Sequence, residues 1–188
     1  MKFLREFLAQ PFVTGAIAPS SVFLARRMVE GLELGKAEAV LEYGPGTGAF
    51  TGTILEHLNS TAKFVAIETN AQFAEVFMTR YPRVPLFQDS VANARTICDR
   101  AGILSVDSIV CGLPWATFSE SIQLRCLDEI MRVLKPEGRF ATFAYVHGLA
   151  LPSAKRFANL LPNYFSHVSR SPVVWLNVPP AFVYRCRR

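Results

Sequence analysis

LEYGPGTGAFT, residues 41–51, decides how the fold of this chain is read. It closes the apolar run EAVLEYG (38–44) and leads into a helical pattern that starts near Ala49. A short apolar run followed by Gly44, Gly46 and Gly48 predicts a buried strand, a tight turn and then a helix. Backbone without Cβ can approach a ligand closely at such a turn, and the amides at a helix start can receive its polar groups. The same spacing is also compatible with an ordinary tight turn. Two acids add to it: Glu68 ends the strand-like AKFVAIE (62–68), and Asp89 ends RVPLFQD (83–89). A carboxylate in the first position can accept from both hydroxyls of a ribose, and one in the second can reach a base amine. Acids at strand ends also cap helices, which accounts for each one taken singly.

Outward from this stretch, strand and helix patterns alternate. PSSVFLARRMVEG (19–31) predicts a helix capped by Ser20 or Ser21 and ended by Gly31. A helix from about Asn70 to Arg80 follows the second strand. The third strand carries Pro82 and Pro85 at its start, which favours a sheet edge. VDSIVCG (106–112) predicts a fourth strand, and SESIQLRCLDEIMRVL (119–134) a helix stopped at Lys135–Pro136. GRFATFAYV (138–146) predicts a fifth strand, with a short helix after Pro152. In the tail, YFSHVSRS (164–171) and VVWLNVPPAFVYRCRR (173–188) are strand-like and separated only by Ser171–Pro172. So short a link requires antiparallel pairing. The expectation is an α/β, Rossmann-like, doubly wound sheet of seven strands, mostly parallel, with a C-terminal antiparallel hairpin.

With 188 residues, 51% hydrophobic and 19% charged, the chain is expected to form one packed domain over 1–188. It has no apolar run long enough to span a bilayer, and MKFLREFLAQ lacks the core and cleavage site of a signal peptide, so a cytoplasmic location is expected. Cys98, Cys111, Cys126 and Cys186 form no C-x-x-C pair, and His57, His147 and His167 stand apart. That pattern predicts reduced thiols and no metal site. A net charge of +5 suits an anionic partner.

Glu42-x-Gly44-x-Gly46-x-Gly48, with Glu68 and Asp89, resembles the cofactor loop of class I S-adenosylmethionine (SAM)-dependent methyltransferases. The resemblance implies SAM as cofactor and S-adenosylhomocysteine as product. It implies that Glu42 contacts the methionine end, and that Glu68 and Thr69 meet the ribose. It further implies that Asp89 and Ser90 lie at the adenine, and that Cys111, Gly112 and Leu113 flank the sulfonium. GAIAPSS (15–21) sits where related enzymes bind the cofactor carboxylate, which makes Ser20 and Ser21 candidates there, as well as helix caps.

GAIAPSS, CGLPWA (111–116) and VVWLNVPPAFVYRCRR together look like bacterial phospholipid N-methyltransferases. That likeness implies methyl transfer to the amine of a membrane aminolipid, of the phosphatidylethanolamine or ornithine-lipid class. Trp115 departs from the smaller aliphatic residue many members carry. An alkyl ammonium with a pKa of about 10.4 costs about 4.6 kcal/mol to neutralise at pH 7. Tyr145 and His147, just past the fifth strand, are the candidate catalytic groups, as proton acceptors or amine ligands, though packing accounts for them equally; Trp115 offers a flat wall to the headgroup or fills the core beside it. Trp115, Tyr145, Trp175, Asn177, Arg185 and Arg187 are the candidate headgroup ligands, arginine being suited to phosphate. In MKFLREFLAQPF (1–12), Phe3, Leu4, Phe7 and Leu8 share one helical face opposite Lys2, Arg5 and Glu6. Such a helix can lie reversibly at the inner face of the cytoplasmic membrane, on an anionic lipid surface, or pack on the domain.

Two alternatives stay open. An RNA adenine N6-methyltransferase shares the glycine loop and the Leu113-Pro114-Trp115 triplet, but such enzymes place Asn or Asp before it, where this chain has Cys111-Gly112. The missing amide or acid speaks against a nucleic-acid partner. A non-catalytic SAM- or membrane-binding module is the other; Glu68 and Asp89 speak against it.

Overall fold

The computed structural model describes residues 20–188. Seven strands form one sheet: β1 (Ala39–Tyr43), β2 (Lys63–Ile67), β3 (Leu86–Phe87), β4 (Val106–Cys111), β5 (Leu134–Tyr145), β6 (His167–Arg170) and β7 (Ala181–Arg187). Their spatial order is β3-β2-β1-β4-β5-β7-β6. The first five run parallel, and β7 lies antiparallel between β5 and β6. Every residue of β1 is buried, as a central parallel strand covered on both faces requires.

One face is covered by α1 (Val22–Val29), α2 (Thr51–His57) and α3 (Ala71–Arg80). Leu24, Met28, Ile54 and Phe77 from these helices pack on Val40, Phe64, Val110, Ala141 and Val183. The other face is covered by α4 (Ala94–Arg100), α5 (Glu120–Val133) and α6 (Pro152–Tyr164). There Ile97, Leu127, Ile130, Phe157 and Leu161 pack on Leu41, Ile67, Ile109, Phe140 and Phe182. Alternation along each strand thus feeds two cores. The helix starts follow from their caps: Ser21 Oγ accepts from Leu24 N, and Asn70 Oδ1 from Phe73 N.

The strand order reverses between β1 and β4, so a crevice opens at the carboxyl ends of the parallel strands, where ligands of such sheets bind. Two details differ from the expectation. The expected elements include no helix between the third and fourth strands, yet α4 forms, with Ala94, Ile97, Cys98 and Ala101 at helical spacing and the first three buried. The tail strands do pair antiparallel, but ten residues (171–180) separate them rather than a two-residue turn. Pro172, Pro179 and Pro180 carry no N–H for a ladder, and that segment adds to the sheet a bridge from Val174 to Ala181 and single hydrogen bonds from Ser171 N to Val183 O and from Val146 N to Pro180 O.

Candidate active site

Three glycines after β1 take positive φ: Gly44 at 61°, Gly46 at 57° and Gly48 at 88°. Their reasons differ. A Cβ on Gly46 would meet nothing within 4 Å, so this residue faces open space. A Cβ on Gly48 would fall 2.2 Å from the ring of Tyr81, whose hydroxyl donates to Gly48 O at 3.1 Å. Gly48 therefore makes room for an aromatic side chain of the protein itself. A Cβ on Gly44 would lie 3.0 Å from Leu113 Cδ2, so here the loops after β1 and β4 touch.

Glu68, at the end of β2, is buried and fixes this loop. Its Oε2 accepts from Gly46 N at 3.0 Å and its Oε1 from Asn70 N at 2.9 Å. A carboxylate offers about four acceptor sites, so both oxygens retain capacity. Thr69 beside it is exposed. Asp89 follows β3 and is partly exposed. Its Oδ1 accepts from Asn93 Nδ2 at 2.8 Å and from Ser90 N at 2.6 Å, bonds that hold its carboxyl below the usual range. Ser90 Oγ accepts from Ala92 N and starts the next turn.

Glu42 lies below the loop, fully buried on β1. Thr51 donates to its Oε2 at 2.7 Å, while Oε1 has no partner among the described residues. Burial pushes this carboxyl up to about 8, against the lowering effect of the Thr51 bond, and the nearby Glu68 charge adds to the rise.

The loop after β4 is held tightly. Gly112 N donates to Tyr43 O at 2.7 Å, and a Cβ on Gly112 would fall 2.6 Å from Gly44 O. The absence of a side chain at 112 thus serves the contact between two loops. Cys111 is fully buried, and burial pushes its thiol to about 12, so it is no nucleophile. Trp115 does not form a wall facing the crevice. It is buried, stacks on Phe157 at 4.2 Å between centroids, and donates from Nε1 to Thr142 Oγ1 at 2.9 Å. Thr142 in turn donates to Cys111 O at 3.0 Å. The flat face that an ammonium would need is already covered.

At the end of β5, Phe143, Tyr145 and His147 form an aromatic row, with Phe143 edge-on to Tyr145 and Tyr145 stacked on His147 at 5.5 Å. Partial burial raises the Tyr145 hydroxyl. His147 is exposed. These two candidates are brought together at the crevice end of the sheet.

The tail candidates are not. β7 starts at Ala181 opposite Tyr145 and ends at Arg187 opposite Arg139, midway along β5. Six residues of strand put Arg187 roughly 20 Å from the crevice end. It pairs there with Glu137, and Arg185 pairs with Glu30 at 2.7 Å. Both guanidinium groups are engaged away from the crevice, which corrects their expected phosphate role. Asn177 is also structural: it is 2% exposed, its Oδ1 accepts from Ser21 N at 2.8 Å, and its Nδ2 donates to Pro179 O at 2.7 Å. Trp175 stands out in solvent. Ser21 caps α1 and Ser20 precedes it; the rest of GAIAPSS and the helix expected over 1–12 lie outside the described residues.

Three supporting residues carry no motif: Thr51, which holds Glu42; Tyr81, under Gly48; and Thr142, beneath Trp115. Thr51 has one legible signal, its place at the first turn of the helix after the glycine loop. The other two become visible only through contacts distant in sequence.

A switch-point crevice lined by a positive-φ glycine loop and strand-end acids is the site of a SAM-dependent methyltransferase fold. A methyltransferase domain family model matches residues 40–138, just over half of the chain, and the chain belongs to that family. It is 27% identical over 188 residues to an ornithine lipid N-methyltransferase of Singulisphaera acidiphila, covering 98% of this chain and 94% of that one. It is 37% identical to a ribosomal RNA small subunit methyltransferase A of Chlorobium phaeobacteroides, over 65 residues that cover 35% of this chain and 24% of that one. Among solved structures, an O-methyltransferase from Bacillus cereus in complex with SAH superposes with a TM-score of 0.71 at 13% identity, covering 100% of this chain and 91% of that one.

The residues fit SAM. Gly46 opens onto free space, both Glu68 oxygens keep lone pairs beside it, and the unpartnered Glu42 Oε1 can receive a donor or a cationic group. No helix among the described residues is long and apolar enough to cross a membrane, and no group of three or more His, Cys, Asp or Glu among them could hold a metal.

Proposed function

We propose that this protein transfers methyl groups from SAM to the primary amine of a membrane aminolipid, of the phosphatidylethanolamine or ornithine-lipid class, while reversibly attached to an anionic membrane face. The observation that carries this reading is the end-to-end match to the ornithine lipid enzyme, which spans both the cofactor loop and the tail. The RNA-enzyme match, at 65 residues, cannot contain both Glu42 and Tyr145. Cys111-Gly112 also lacks the amide or acid that a weakly nucleophilic base amine needs as partner.

In this reading Gly44 and Gly46 admit the cofactor, Glu68 and Thr69 hold its ribose, Asp89 and Ser90 border the adenine, and Glu42 supports the methionine end. When bound, SAM supplies an electrophilic methyl on a sulfonium. The acceptor must reach the crevice as a free amine, because an ammonium has no lone pair. Tyr145, a phenol whose hydroxyl partial burial raises further above its ordinary 10.0, orients the nitrogen with its hydroxyl oxygen. His147, exposed beside it, accepts the released proton and passes it to solvent. The aromatic row makes no ion pair among the described residues, so it accommodates an amine that loses N–H donors with each transfer.

The test is transfer of labelled methyl from SAM into vesicles of phosphatidylethanolamine or ornithine lipid, run beside structured RNA. Label in the lipid alone is expected. Label in RNA alone, or SAM binding without label in either, overturns the reading.

A further inference from the structure

Ten large hydrophobic side chains are exposed among the described residues, and five of them, Val22, Phe23, Trp175, Leu176 and Val178, belong to α1 and the 173–180 loop. Single exposed apolar side chains need no account, but a contiguous group does. Phe23, Arg26, Arg27, Trp175 and Leu176 line one groove that starts between helix and loop and runs on past Glu30 and Glu33 to His57 at the end of α2. In the loop, Trp175 is 72% exposed, Leu176 67% and Val178 78%, while Asn177 between them is buried. Asn177 accepts from Ser21 N and donates to Pro179 O, so its amide ties the loop to the start of α1. Loop and helix therefore form one braced surface.

Its position and charge identify the occupant. Val174 bridges to Ala181, and Val146 N donates to Pro180 O at 2.9 Å, so the loop hangs from the crevice end of the sheet beside Tyr145. Arg26 in the groove makes no ion pair among the described residues, while both carboxylates of the groove are engaged, Glu30 by Arg27 and Arg185 and Glu33 by Lys36 and Arg139. An apolar tip led by an indole and flanked by cations matches the headgroup and acyl boundary of an anionic bilayer.

We infer that the 173–178 loop, braced by Asn177 against α1, inserts Trp175, Leu176 and Val178 into the interface of an anionic bilayer and sets the crevice at headgroup level. The choice of a bilayer rests on the aminolipid reading above.

Trp175 and Trp115 are the two tryptophans of the chain, and Trp115 is buried, so emission isolates the loop. The full chain is titrated with phosphatidylcholine vesicles containing phosphatidylglycerol, while emission and sedimentation are followed. Wild type should shift to the blue and resist acrylamide quenching, and Trp175→Phe should lose both responses. Leu176→Ser/Val178→Ser should bind at least tenfold more weakly, with unchanged circular dichroism and unchanged methyl transfer to a dispersed short-chain aminolipid. Unaltered vesicle binding by that double variant overturns the inference, as does a Trp175 that stays quenchable on bound vesicles or is buried by self-association without lipid. Vesicle insertion through Trp175 without methylation of any aminolipid keeps the docking surface and defeats the acceptor reading. Methylation of dispersed lipid with no Trp175 response does the reverse.

Discussion

The glycine loop after β1 and the tail after β6 contrast in what holds them. In the first, positive φ at Gly44, Gly46 and Gly48 shapes the turn, and Glu68, 22 residues from Gly46 at the end of the neighbouring strand, braces it. In the second, the role of each residue depends on which end of an antiparallel strand it reaches. Arg185 and Arg187 are close in sequence to Ala181, which lies opposite Tyr145, yet they point to partners at Glu30 and Glu137. Backbone conformation read from the glycine pattern survives the step from sequence to structure; the phosphate role read from arginine as a residue type does not.

Trp115 tests this contrast with the largest effect. As a core residue stacked on Phe157, its replacement by alanine should cost about 3–5 kcal/mol, seen as a fall of roughly 10 °C in thermal midpoint. A raised acceptor KM with an unchanged midpoint would restore Trp115 to the headgroup. Glu68→Ala comes next: removing the carboxylate that faces the cofactor loop should weaken SAM binding about tenfold to a hundredfold, read by calorimetry. Unchanged affinity would break the cofactor placement.

Glu42 gives a subtler effect. Its carboxyl is raised from an ordinary 4.5 to about 8, so the folded state holds a proton that the unfolded chain has lost between those values. Stability from this group is full below about 4.5 and declines as pH rises toward about 8. The thermal midpoint of Glu42→Gln should therefore fall less than that of wild type over this range; parallel profiles would deny the shift. Arg187→Ala should change least, within about 0.5 kcal/mol in stability and without effect on methyl transfer. A loss of lipid turnover there would put the tail arginines back at the substrate.

The doubly wound sheet, the Ser21 cap and the places of Glu68 and Asp89 just past strand ends were legible because each depends on periodicity or on a residue at the end of an element. The link between β6 and β7 was not, since Ser171–Pro172 resembles a turn while the chain continues through two further prolines before pairing. Gly48 was legible as a glycine but not for its reason, because Tyr81 meets it from 33 residues away. Asn177 is a headgroup candidate through its place in VVWLNVPPAFVYRCRR, and its structural partner, Ser21, is 156 residues away.

Mass spectrometry of the lipids of a host that makes the protein, against one making Glu68→Ala, tests the central claim most directly. The account predicts aminolipids heavier by one or more methylene units in the first host and unmodified aminolipids in the second. Unchanged aminolipids in both, with methyl groups appearing on RNA in the first host, would contradict it.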